Sequence, residues 1–204
     1  MTFLSPEGLI FGGCGRLDAG GFRDLFKNEG TNPFSVLFLR ENDNAIVDIK
    51  AIIQLLRDQG RVVLKDRAGH VFELINSEQW ADVDGRTDGI YLLFDLFQIR
   101  SIAVPFSDIS LDVVDFSTKP VIYHTLANPH LLSAPIKDGQ VRFAMIKEGS
   151  WNKLLFNFGK SLIYQAVADG RSLDFDTVDK FPIVDGEVKQ MFLGPEGEVK
   201  ILNG

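Results

Sequence analysis

A single cysteine, Cys14, occurs in 204 residues, so no intrachain disulfide and no cysteine-based structural zinc site can form. Histidine is nearly as scarce, with three residues, so a metal site would have to be mostly carboxylate. The loose acidic groups Asp82/Asp84/Asp88, Asp108/Asp112/Asp115 and Asp174/Asp176/Asp179 lack the glycine and terminal glutamate of a calcium loop. They read as solvated turns, and no metal is expected. Lys and Arg are scattered and the net charge is -7, which leaves no footprint for a phosphate backbone; nucleic acid is not an expected partner. No stretch approaches the roughly 18 apolar residues of a membrane span, and the longest candidate, Gly89 to Phe97, is broken by Asp95. The start, Met1-Thr2-Phe3-Leu4-Ser5-Pro6-Glu7, has neither basic residues nor an apolar run, unlike a secretory signal. A reducing, cytoplasmic compartment is the expectation. No Gly-x-Ser-x-Gly elbow and no Walker loop is present.

What is there is a core. Hydrophobic residues make up 45% and charged residues 24%, which is the globular pattern. Seventeen Phe against three Tyr and two Trp put most rings inside, because Phe has no polar handle. Ile46, Ile49, Ile52, Ile53 and Leu56 recur at helical spacing, Asn42, Asp43 or Asn44 can N-cap them, and Gly60 follows. Trp151, Leu154, Leu155 and Phe158 repeat the arrangement behind Ser150 and before Gly159. The expected principal helices are therefore Asp43–Gln59 and Ser150–Phe158. Strands are expected at 34–39, 61–65, 70–75, 90–97, 99–104, 121–124, 141–146, 162–167, 173–175, 188–193 and 198–202, with turns at Asp66-Arg67-Ala68-Gly69, Asp169-Gly170 and Gly194-Pro195-Glu196-Gly197.

Short strands with hairpin-like turns predict an α+β (or α/β) fold with a mixed, mainly antiparallel sheet and two principal helices. One compact domain, 1–204, is expected. The helix-ending glycines, the Val-Asp-Gly turns at Gly85 and Gly186, and the apolar runs from Phe34 and Val141 are each separated by close to half the chain. That spacing raises an internal pseudo-twofold duplication of about 100 residues, with tandem halves 1–102 and 103–204.

Two places offer room for a ligand. Leu9-Ile10-Phe11 runs into Gly12, Gly13, Cys14, Gly15 and Arg16, then a short helix, an order that lets backbone N–H groups approach a phosphate. Arg40 ends the next strand near where a dinucleotide fold reads its ribose, although Asp18 occupies the third glycine position. Cys14 beside Arg16 has the setting for a lowered thiol pKa, against the commoner buried, inert cysteine. The second place gathers Tyr123, His124, Arg142 and Trp151, which line one pocket if the second-half strands are neighbours. His130 lies six residues from His124, a spacing that matches no metal pattern.

The segment from Val141-Arg142 through Phe158-Gly159-Lys160-Ser161-Leu162-Ile163, and the helix ending at Gly60 before Arg61-Val62-Val63, resemble the YrdC-like threonylcarbamoyl-adenylate synthases. Those enzymes carry a Pro-Thr-Asp/Glu-Thr strand end and a Ser-x-Asn pair for nucleotide and threonine. The matching places here read Lys65-Asp66-Arg67-Ala68 and Gln165-Ala166-Val167, so the sequence alone assigns no family.

With no assembled catalytic set and an acidic balance, the first functional expectation is a non-enzymatic acidic, cytosolic binding or interaction protein with a protein partner. The alternative is a small-molecule or nucleotide-binding enzyme using the Gly12–Gly15 turn, with Arg16 and Arg40 on phosphate.

Overall fold

The computed structural model describes residues 49–82, 88–132, 134–147, 149–167, 171–177, 179–184 and 186–203. All lie in the compact unit Asn44–Gly204. The Gly-rich turn with Cys14 and Arg16, Arg40, the 34–39 strand and residues 43–48 of the first helix lie outside the described residues.

Helix α1 is described as Ile49–Gln59, with Ile52, Ile53 and Leu56 buried along one stripe. Gly60 ends it at φ +74, its N–H on the Leu56 carbonyl at 3.0 Å, the left-handed stop that glycine adopts without a Cβ clash. Strand β1 (Arg61–Lys65) follows and turns through Asp66–Gly69 into β2 (Val71–Asn76). A 3-10 segment, Ser77–Asp82, precedes β3 (Ile90–Leu93). Then come α2 (Ile99–Ile102), α3 (Asp108–Asp115), β4 (Val121–Leu126), β5 (Gln140–Met145) and α4 (Gly149–Phe158). Strands β6 (Leu162–Ala166), β7 (Phe175–Asp176), β8 (Lys189–Leu193) and β9 (Val199–Asn203) close the chain.

The nine described strands form one sheet in the order β7-β1-β2-β6-β3-β5-β4-β8-β9. Neighbours pair antiparallel except β1/β7, β3/β5 and β4/β8, so the sheet is mixed and mainly antiparallel, as expected. Strand β6 sits between β2 and β3, so described strands of the two sequence halves interleave, and among the described residues the strand order shows no twofold repeat.

Period-two alternation gives the sheet two buried faces. Helices α1 and α4 cover one, where Ile52, Leu56, Leu154 and Phe158 pack on Val62, Leu64, Phe72, Leu74, Leu92 and Ile122. Trp80 with α2 and α3 covers the other, over Ile75, Tyr91, Tyr123, Phe143 and Ile163. Within 99–104, expected as strand, residues 99–102 are a helical turn instead, and only Ala103 makes a bridge, to Ala127. Asp95 accepts from the Phe97 N–H and Gln98 reaches back to the Phe94 and Asp95 N–H groups, a reciprocal capping that starts helix just before the apolar run. Ser150 also departs from expectation: it lies inside α4 and its hydroxyl donates to Asp179.

Candidate functional site

Strands β1, β6, β4 and β8 run parallel to one another, so their carboxyl ends share one end of the sheet with the starts of β2, β3 and β5. Ligands of open α/β sheets gather outside carboxyl ends of strands.

At this end β4 and β5 place His124 directly opposite Arg142. Both point to the face of Ile122 and Ala144, by alternation. His124 Nε2 lies 2.9 Å from Gln190 Oε1, so this nitrogen donates to the amide oxygen. The Arg142 guanidinium donates to the carbonyl oxygen of Asp88, just before β3. Lys137 joins them through a two-residue turn: Asp138 at φ +53 and Gly139 at φ +74 reverse the chain, with paired backbone bonds between Lys137 and Gln140 of 3.0 and 2.9 Å. Positive φ at both central residues is what Asp-Gly supplies in a hairpin of this kind. His124, Arg142, Lys137, Asp88, Asp138 and Gln140 line a pocket of about 260 Å³. It carries two cationic and two acidic side chains around one imidazole, which suits a small polar ligand with an anionic group.

The other two members of the expected pocket go elsewhere. Tyr123 alternates to the opposite face of β4 and stacks on Phe143 at 5.2 Å. Trp151 is a core residue of α4, edge-on to Phe72 and Phe181, with its indole N–H on the Lys180 carbonyl at 3.1 Å. His130 is exposed in a turn closed by its own N–H on Asn128 Oδ1. The sequence reading missed Lys137, Asp88 and Asp138; the Asp138-Gly139 dipeptide was the signal that places Lys137.

The two places of the synthase resemblance also reach this end. Lys65 pairs with Val71 on β2, and β2 pairs Phe72 with Ala166 and Glu73 with Gln165 on β6. Asp66, however, is committed to structure. Its buried carboxylate accepts from the N–H groups of His70 and Phe181, both 2.9 Å, with the His70 ring at 3.2 Å. Burial alone would raise its pKa; the Phe181 and His70 donors outweigh that and hold it below the usual 3.8. Glu73, fully buried, meets Arg171 Nη1 at 3.0 Å and Arg61 Nη1 at 3.9 Å.

No family profile matches the sequence, and no curated protein matches it. Solved structures do match the fold. P. abyssi Sua5 complexed with L-threonine aligns over 76% of this chain and 53% of its own, at a TM-score of 0.56 and 11% identity. E. coli YciO aligns over 76% and 87%, at 0.55 and 9%. Full-length HypF in its phosphate- and nucleotide-bound form aligns over 75% and 28%, at 0.54 and 12%. The chain thus spans about half of the Sua5 chain and 28% of the HypF chain. These matches correct the first functional expectation. Two of these structures hold small ligands, phosphate and nucleotide in HypF and L-threonine in Sua5, which favours the small-ligand alternative over the non-enzymatic interaction protein.

Proposed function

We propose that this chain binds a small polar metabolite carrying a phosphate or carboxylate group, at the strand-end pocket of His124, Lys137 and Arg142. The observation that carries the reading is the convergence of Arg142 and Lys137 on one pocket at the carboxyl end of β4. Arginine offers a planar set of donors that matches two anionic oxygens at once, and lysine adds a point charge. Solved proteins of the same fold supply the ligand classes: nucleotide, phosphate and L-threonine. A volume of about 260 Å³ holds an amino acid or the phosphate-bearing end of a larger molecule. The proposal is of binding. The strand ends that carry chemistry in the resembled synthases are replaced here, and Asp66 is already saturated by donors.

The test is a calorimetric titration of the full chain with inorganic phosphate, ATP and L-threonine in turn. At least one is expected to bind saturably, and Arg142→Ala and Lys137→Ala are expected to weaken it by tenfold or more each, since hydrogen bonds to charged groups contribute about 1.5–3 kcal/mol. Absence of binding across all three, or full affinity in the folded double variant, overturns the reading.

A further inference from the structure

Strand β9 ends the sheet on one side, with no strand beyond it among the described residues. All of its residues are exposed, Ile201 by 60%. The Glu198 carbonyl accepts the Gly194 N–H at 2.7 Å, so the backbone of Glu198 faces β8. Backbone groups alternate along an antiparallel ladder, so those of Val199 and Ile201 point outward, away from β8. Such an edge is a template for another strand unless something blunts it. Lysine is a common blunting residue, but Lys200 is neutralised from its own strand end by Glu198 at 2.7 Å. A bulge is another, and here it comes late. Ile201 and Asn203 pair with the consecutive Met191 and Gln190, so Leu202 is the extra residue and the edge up to Ile201 stays regular.

The same edge carries an apolar face. Val199 pairs with buried Leu193, and Ile201 with Met191. Cross-strand partners share a face, so Val199 and Ile201 lie on the side that α3 covers. Helix α3 begins beside the start of β9: an added Cβ at Gly197 would meet Ile109 at 3.4 Å. Its far end is held by Lys147, which donates to the Val114 and Ser117 carbonyls at 2.9 Å, where β4 begins and β9 ends. The helix therefore follows β9 along its length. Ile109, Val113 and Phe116, at i, i+4 and i+7, form one stripe, with Ile109 and Phe116 61% and 75% exposed. Exposed apolar groups lined up along an open strand edge mark an interaction surface.

Charge selects the occupant. On the other face of the edge, Glu198 and Lys200 flank Val199 with opposite signs. An antiparallel pair of identical strands centred on Val199 sets Lys200 against the partner's Glu198, and Glu198 against the partner's Lys200. Centring it on Lys200 would oppose two lysines, and centring it on Ile201 would draw the bulged Leu202 into the ladder. The pattern is thus self-complementary in one register, which is what a twofold interface between identical chains requires. In that register Ile201 lies opposite the partner's Gly197, where the missing side chain leaves room beside the partner's Ile109.

We propose that two copies of this chain associate through β9, as an antiparallel strand pair centred on Val199, with Ile109 and Ile201 packing across the twofold axis.

Sedimentation velocity of the full chain over a range of concentrations tests this, and a concentration-dependent dimer is expected. Val199→Pro removes the outward N–H at the centre and no bond to β8. It is expected to leave a monomer at every concentration, with the melting temperature of the dilute wild type. Lys200→Glu turns two attractive cross-strand pairs repulsive and is expected to weaken association by about tenfold. Adding Glu198→Lys is expected to restore it, because the alternation is reversed but kept; these side chains are exposed, so neither change threatens the fold. A wild-type monomer at all concentrations, a dimer that survives Val199→Pro, or a double exchange no tighter than Lys200→Glu alone overturns the proposal.

Discussion

Asp66 carries the sharpest prediction at the residue scale. Its carboxylate joins the β1–β2 turn to the 179–184 strap through three donors. Asp66→Ala leaves two N–H groups without their acceptor and is expected to cost about 2–4 kcal/mol in urea unfolding. The pH dependence follows from the direction of its pKa. The folded value lies below 3.8, so the native state binds this proton less readily than the unfolded chain. The contribution is complete above the unfolded value and drains away as pH falls through the lower folded one. The wild type is therefore expected to lose stability below about pH 4 more steeply than Asp66→Ala. The sequence identified Asp66 as a turn former, correctly, because Asp satisfies local N–H groups. Its bond to Phe181 spans 115 residues and leaves no local trace.

Glycines separate two kinds of constraint at the scale of elements. Gly60 and Gly159 end α1 and α4 at φ +74 and +78. An added Cβ at Gly159 meets nothing within 4 Å, and at Gly60 its three nearest atoms are the amide end of exposed Gln79, which can swing aside. Alanine at either position is expected to cost about 1–2 kcal/mol, the price of left-handed backbone alone. Gly89, just before β3, is different. A Cβ there would lie 2.6 Å from Ile163 Cγ2 and 3.0 Å from both Pro135 and Trp80, all held by the core. Gly89→Ala is expected to cost about 1–3 kcal/mol through overpacking, read as a fall in melting temperature. The helix-ending glycines were legible because their signal is local. The 99–102 helix was not: its apolar run suits either element, and the Asp95–Gln98 capping starts a 3-10 turn at 96–98 that runs straight into it.

At the scale of the whole molecule, Phe181 shows how distant segments close one layer. It stacks on Phe72 at 4.3 Å and Tyr164 at 5.1 Å, with Trp151 edge-on at 5.0 Å, so rings from β2, β6, α4 and the strap meet. Phe181→Ala is expected to cost about 3–5 kcal/mol. Combined with Asp66→Ala, the loss should fall short of the sum, because both remove the same docking of the strap; a double-mutant cycle by chemical denaturation measures that coupling. Full additivity would show that the two contacts hold the strap independently.

Composition and short-range pattern were enough for the mixed sheet, the two principal helices and the hairpins around Asp66 and Gly194. Each follows from residues that act on neighbours a few positions away: apolar periodicity, capping glycines, turn formers. Only the tertiary structure decided which strands adjoin. It set β6 between β2 and β3, split Tyr123 and His124 onto opposite faces, sent Trp151 into the core, and brought Lys137 to Arg142. The physical reason is that sheet neighbours are chosen by burial of whole faces, a property of the assembled layers that no short window of sequence contains.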